Sequence, residues 1–389
     1  MPRFPHFNPR IKDLPGSVYE KYVGSLKKAG PDLIKLHIGD TCLHPPYSLP
    51  ITDHFVDTHK SFNRYCNTYG IDSLRRALAD KLTTDNALKV DRDQVLVTNG
   101  ATNALSLACS SLLTAGEEVL VLTPAWPFFV GMVRVAGCSP IQIPVYVKLY
   151  EGNGFDLGQA ILDKITEKTV ALYLNTPNNP SGKVLDSNQL EIIADIAKAH
   201  NLWIISDEAY DGMTFDGREH VSIGSMPGMF DRTLSIFTFS KIFMVAGFRL
   251  GYVAAPEAVI QILNKAMVHQ IYSPSTVLQY FMIEALESRH SWMKKTLATY
   301  EKIRDKACQA LEVTVNAPEG TYFIFLDTSQ HVSPDEYWRL IEHCVSQGVA
   351  IAPGADFGDD FGRYIRICFT GEPAEKVMKG IEIINALLR

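Results

Sequence analysis

The chain has 389 residues, 46% hydrophobic and 21% charged, and carries 37 Lys and Arg against 43 Asp and Glu for a formal net charge of −6. That length exceeds one small core and suits two domains, while the composition excludes a disordered or fibrous chain. The acidic balance, with no long run of Lys or Arg, leaves no electrostatic footprint for nucleic acid or an anionic membrane and points to small-molecule chemistry.

Residues 1–12 contain two arginines but no apolar stretch behind them, and nothing in the chain approaches 18 uninterrupted apolar residues, so a cytoplasmic protein is expected. A helix over 17–28 and a strand over 33–38 follow. They are too little to fold alone and are expected to pack on the C-terminal part. From Gln94 onward, short β-branched runs alternate with helical periodicity, as βα units do when a mainly parallel sheet is covered on both faces. The predicted strands are 95–98, 119–122, 141–144, 170–174, 203–206, 234–237 and 251–254. Helices fall between them, among them 101–113 with Leu105, Ala108 and Leu112 on one face, and 187–200 with Leu190, Ile193, Ala194 and Ala197. After Pro256 the pattern changes to long helices, 259–271 and 276–311. An α+β tail then carries strands near 322–326 and 364–368.

Seven scattered cysteines without a C-x-x-C pair read as reduced thiols. Among the eleven histidines no H-x-x-H or H-E-x-x-H spacing occurs, and the His54, Asp57 and His59 grouping reads as chance, so no metal is expected.

Three motifs stand just past strand C-termini, where open α/β sheets bind ligands. Ser240-Lys241 follows strand 234–237, with Thr238 before it and Arg249 after it, and these donors can converge on one anion such as a phosphate. The run from Asn175 through Pro177, Asn179 and Pro180 to Gly182 follows strand 170–174 and reads otherwise as a plain turn. Ser206-Asp207-Glu208-Ala209-Tyr210 places a carboxylate at the sheet edge, or equally at a helix N-cap.

Together with Leu14-Pro15-Gly16-Ser17, Leu36 to Asp40, Tyr65, Gly70 to Arg75 and Arg366 to Phe369, these motifs resemble the pyridoxal-5′-phosphate-dependent aminotransferases of fold type I, class I/II. The branch is that of aspartate, aromatic and kynurenine aminotransferases. The resemblance spans nearly the whole chain. It implies an α/β fold with a large domain over 46–280, built on a mainly parallel seven-stranded sheet, and a smaller α+β domain over 1–45 plus 281–389. It implies amino transfer from an L-amino acid to a 2-oxo acid, with a β-elimination lyase or a cyclase on the same scaffold as the alternative.

The resemblance also implies roles. Lys241 would hold the cofactor covalently and then shuttle the substrate's α-proton. A free lysine, protonated by some 3.4 pH units at neutrality, cannot do so unless its pKa is brought down. Asp207 would pair with the pyridine nitrogen and keep it protonated. Tyr210 and Asn179 would bond the phenolic oxygen, and Trp126 would stack on the ring. Ala101 and Thr102 at a helix N-terminus, with Thr238 and Arg249, would hold the phosphate. The region around Asn99 to Thr102 lacks G-x-G-x-x-G, which weakens a nicotinamide reading. Arg366 would receive the substrate carboxylate beside Gly39, and Tyr65 would reach the phosphate of a partner subunit, implying a homodimer with shared sites. The sequence departs from the family pattern at Gly39-Asp40-Thr41-Cys42, near the substrate mouth, and carries Thr238 and Ser181 where serine and threonine are usual. No second cation in a recognisable motif awaits a distal carboxylate, so neutral aliphatic or aromatic donors are expected, with Tyr19 and Tyr272 as side-chain candidates and Arg10 or a partner arginine as the competing source of charge.

Overall fold

Each β-branched run from Val95 to Ala254 forms a strand of one seven-stranded sheet in the computed structural model, which describes residues 8–12, 14, 19–46, 53–152 and 154–389. After β1 (Ile34–Lys35), these strands are β2 (Val95–Thr98), β3 (Glu118–Thr123), β4 (Ser139–Pro144), β5 (Thr169–Asn175), β6 (Trp203–Asp207), β7 (Thr233–Thr238) and β8 (Gly251–Ala254). Their order is β2-β8-β7-β6-β5-β3-β4. All neighbours run parallel except at β8, which is antiparallel to both β2 and β7.

Helices cover both faces of this sheet. On one face Leu105 and Ala108 of helix Gly100–Leu112 pack with Phe129 and Val133 of Pro127–Ala136 and with Ile260 and Leu263 of Glu257–Gln270. On the other, Leu190, Ile193, Ala194 and Ala197 of Ser187–Ala199 pack with Leu157 and Ile161. Each such fully buried leucine or isoleucine contributes about 1.5–3 kcal/mol, which holds the strand ends in register.

The C-terminal part has a second sheet, ordered β11-β12-β9, from β9 (Phe323–Asp327), β11 (Ala352–Pro353) and β12 (Tyr364–Cys368). The expected strand packs there, since β1 pairs in parallel with β10 (Val349–Ala350), whereas Arg10 and Leu14 lie against helix Pro127–Ala136 and the glycine after it. The strand expected over 33–38 is only Ile34–Lys35, because Leu36 turns its carbonyl to the amide of Cys368 at 2.8 Å instead of continuing along β10. The helix expected over 17–28 is a 3₁₀ turn, Glu20–Tyr22, followed by Val23–Lys28, while position 17 and the Pro15-Gly16-Ser17 motif lie outside the described residues. The helix expected over 276–311 is two, Thr276–Glu287 and Arg289–Ala310. At the junction the Ser288 hydroxyl donates back to the Glu284 carbonyl at 2.9 Å, a side-chain bond that competes with the helical ladder. Among the described residues no helix is long and apolar enough to cross a membrane.

Candidate active site

β7 ends at Thr238, and the turn that follows places Lys241 at the carboxyl edge of the sheet. Its Nζ donates to the Gly39 carbonyl at 3.1 Å and lies 5.8 and 5.9 Å from the Tyr210 and Tyr322 ring centroids. Burial lowers the Lys241 pKa to about 8. Asp40 opposes that shift and Arg366 adds to it.

β6 ends one strand away at Asp207, in register with Asn175 at the end of β5. The Tyr173 hydroxyl donates to Asp207 Oδ2 at 2.9 Å, and the Ala209 amide donates to Oδ1 at 3.2 Å. Burial still prevails and pushes the carboxyl up to about 6, with the Tyr173 and Ala209 bonds pulling the other way. A cation brought against this carboxylate would therefore be held strongly. Asn175 Nδ2 donates to the Asp207 carbonyl at 2.8 Å, and its Oδ1 accepts from the Asn179 amide at 2.7 Å, so one side chain couples two site residues. Tyr210 is buried, edge-on to Tyr322 and Phe323 at 5.5 and 5.9 Å, and burial raises its hydroxyl pKa well above the ordinary value.

The third strand end brings a helix N-terminus and an arginine together. Helix Gly100–Leu112 starts directly after β2, with Ala101 and Thr102 in its first turn. At Gly251 a Cβ would stand 2.7 Å from the Ala101 nitrogen, so only glycine lets β8 approach the helix N-terminus this closely. At Gly100, where φ is +79°, a Cβ would meet Arg249 Nη2 at 2.9 Å. Arg249 itself is left-handed, at φ +53°, and is anchored by Nη1 donating to the Ala246 carbonyl at 2.8 Å. The Thr238 hydroxyl lies 2.9 Å from Ser240 Oγ and accepts the Ser240 amide at 3.1 Å.

One cavity of about 120 Å³ is lined by Ala101, Thr102, Trp126, Asn179, Asp207, Tyr210, Thr238, Lys241 and Arg249, so the structure brings these residues together as expected. Arg366 joins them from the second sheet: Nη1 donates to Asn179 Oδ1 at 3.0 Å and Nη2 to the His37 carbonyl at 2.6 Å. The guanidinium lies 4.2 and 4.9 Å from the Phe323 and Phe357 centroids, and its buried Nε has no hydrogen-bond partner. A buried cation whose hydrogen-bond partners are neutral oxygens is suited to a carboxylate. Gly39 leaves the room, since a Cβ there would stand 2.8 Å from Phe323.

Tyr65 is not brought in. It is 84% exposed and pairs edge-on with Tyr272 at 5.0 Å, which also removes Tyr272 from this chain's cavity. Tyr19 does approach, 3.4 Å from Arg366 Nη2. Arg10 packs against Gly137 instead. Sequence reasoning gave no role to Tyr173 or Asn175, although the two-residue period of β5 puts both on one strand face.

Residues 31–384 match the family model for aminotransferase class I and II. The chain belongs to that family. This aminotransferase is 34% identical over 373 residues to the aspartate aminotransferase of Pyrococcus abyssi, covering 92% of each chain. It is 34% identical over 335 residues to aromatic-amino-acid aminotransferase 2 of Thermococcus litoralis, covering 83% of this chain and 84% of that one. A solved mutant of Thermus thermophilus aspartate aminotransferase superposes with a TM-score of 0.86 at 28% identity, over 99% of this chain and 100% of that one. The aminotransferase transfers amino groups and uses pyridoxal 5′-phosphate, and nothing in these relatives favours the lyase alternative. The residues present fit that cofactor: a glycine-spaced cradle with an arginine for the phosphate, a buried carboxyl for the ring nitrogen and a buried lysine between them.

Proposed function

We propose that this aminotransferase draws the amino group from a neutral aliphatic or aromatic L-amino acid, with Lys241, Asp207 and Arg366 as its principal residues. The observation that carries this reading is the enclosure of the Lys241 amine and the Asp207 carboxyl in one small cavity whose lining residue Asn179 accepts from Arg366. When bound, the cofactor supplies a carbonyl carbon for the amino group and a protonated ring that withdraws electrons from it.

The chain's own residues do the rest. Lys241, with its pKa brought down to about 8, can both release and take up a proton at Nζ near neutral pH and so moves the substrate's α-proton. Asp207 holds the charged ring nitrogen. The Ala101 and Thr102 amides, Thr238 and Arg249 would hold the phosphate, and Trp126 would offer its ring for stacking. Asn179, whose Oδ1 is taken by Arg366, has its Nδ2 left to donate to the phenolic oxygen beside Tyr210. Arg366 takes the carboxylate next to the reacting carbon, in both amino and oxo acid, and so orients it over Lys241.

Neutral donors are favoured because the cations that line the small cavity, Lys241 and Arg249, already have roles, and aromatic rings flank Arg366. Arg134 lines an adjoining cavity of about 740 Å³, whose lining also carries the acidic side chains of Asp356 and Asp359. The exposure of Tyr65 supports a homodimer in which it serves a neighbouring copy. We further propose the domain division 46–280 against 1–45 plus 281–389, and a cytoplasmic location in keeping with seven free cysteines.

Borohydride reduction of the yellow holoprotein followed by peptide mapping tests the central assignment. The cofactor mass is expected on Lys241, and a label on any other lysine overturns it.

A further inference from the structure

Away from the cavity, the loop between β5 and helix Ser187–Ala199 is clasped by the segment that leads into β9. Lys183 Nζ donates to Glu319 Oε1 at 2.8 Å, and the Val184 amide donates to Glu319 Oε2 at 3.0 Å. Both charged side chains are largely buried, and the Tyr150 ring centroid lies 4.9 Å from the Lys183 amine. The backbone repeats the clasp, for the Glu319 and Gly320 amides both donate to the Gly182 carbonyl, at 3.0 and 2.9 Å. Gly182 sits at φ +73°, where a Cβ would stand 2.5 Å from Pro318. The Glu319 carbonyl in turn accepts from the Phe215 amide at 2.9 Å.

The clasp ties together the two chain segments that carry the two sides of the carboxylate site. On one side, the clasped loop carries Asn179. On the other, the chain beyond Glu319 carries Tyr322, whose hydroxyl donates to Gly39 at 3.1 Å, and Phe323, which underlies Arg366 at 4.2 Å. The Asn179–Arg366 hydrogen bond thus spans two sheets that share no strand pairing. Its geometry depends on whatever fixes one sheet edge against the other.

We propose that the Lys183–Glu319 ion pair is a positioning pair for substrate-carboxylate binding, setting the distance between Asn179 and Arg366 without touching substrate. This rests on the carboxylate role given to Arg366 above. Two largely buried charges are an expensive way to gain stability, because a well-packed neutral pair does as well or better. What the pair adds is directional: one carboxylate grips the loop at two successive residues, Lys183 and Val184. Hydrogen bonding of a guanidinium to a carboxylate is geometrically specific, so a shift of Arg366 relative to Asn179 weakens it.

The test is steady-state kinetics on holoenzyme carrying Lys183→Met, Glu319→Gln and Lys183→Arg. Amino donor and oxo acceptor share only the carboxylate beside the reacting carbon. Lys183→Met and Glu319→Gln are therefore expected to raise both KM values by a common factor of about tenfold, with kcat within about twofold, and Lys183→Arg to restore both KM values to within about threefold of wild type. Glu319→Gln keeps an acceptor for Val184 and decides the matter if Lys183→Met does not fold. Unchanged KM values in folded variants, a rise for only one substrate, or a loss of kcat that tracks thermal stability would overturn the proposal. With Lys183 and Glu319 intact, an Arg366→Lys variant whose KM values are both unchanged would instead refute the carboxylate role itself.

Discussion

Tyr173 on β5 donates its hydroxyl to Oδ2 of Asp207 at the end of the neighbouring β6, so the sheet itself sets the direction of the carboxylate. Because an amide oxygen can accept the same bond, Asp207→Asn is expected to keep its fold and to retain cofactor through the phosphate cradle. It should lose well over tenfold in turnover at saturating cofactor, since the charge facing the ring nitrogen is gone. Turnover within tenfold of wild type, or about 1.4 kcal/mol, refutes the ionic role.

Lys241 carries a cost to stability that depends on pH. Its pKa is about 8 folded against 10.5 unfolded, so the buried ammonium opposes folding in full below pH 8, and the cost fades as pH rises from 8 to 10.5. Cofactor-free Lys241→Met is thus expected to exceed the cofactor-free wild type by up to ~3 kcal/mol at pH 7 and by much less at pH 10. Urea unfolding at both pH values reads this out. An advantage equal at the two would show that burial of charge is not its source.

Tyr65 projects away from its own cavity, which predicts complementation between damaged subunits. Mixing Tyr65→Phe with Lys241→Ala should yield hybrids holding one intact site and one doubly damaged site, and activity above either parent should follow. Hybrids verified by mass that show no gain would place Tyr65 outside any partner's site.

Donor preference follows from the cations. Half-reactions with alanine, leucine, phenylalanine, aspartate and glutamate are expected to favour neutral donors, because a distal carboxylate buried without a partner costs several kcal/mol. A tenfold preference for aspartate over every neutral donor would assign Arg134 or a partner arginine to that carboxylate.

The strands of the main sheet were readable because short apolar runs such as 170–174, bounded by turn residues, are too brief for a buried helix. Their true ends were less so: β5 and β6 extend to Asn175 and Asp207, polar residues that hydrophobic patterning counts as turn. Strand direction leaves no mark in periodicity, and the antiparallel β8 emerges only from its partners. Among site residues, those within motifs were readable one by one. Tyr173 and Glu319 were not, because their roles exist only once particular neighbours meet: Asp207 across a strand pair, and Lys183 across two sheets.

The position of β8 also bears on the order in which the molecule comes together. β8 lies between β2 and β7, and closing the first of those pairings joins Val95–Thr98 to Gly251–Ala254 across most of the large sheet's sequence. Pairing across so long a stretch of chain closes a large loop, so this insertion is expected late in folding. The phosphate cradle depends on it, because Gly251 must reach the helix beginning at Gly100 before Arg249 can face that helix's first turn. If phosphate is held there as proposed, its affinity would be acquired at the end of assembly, and an anion bound there would select chains whose central sheet is already complete.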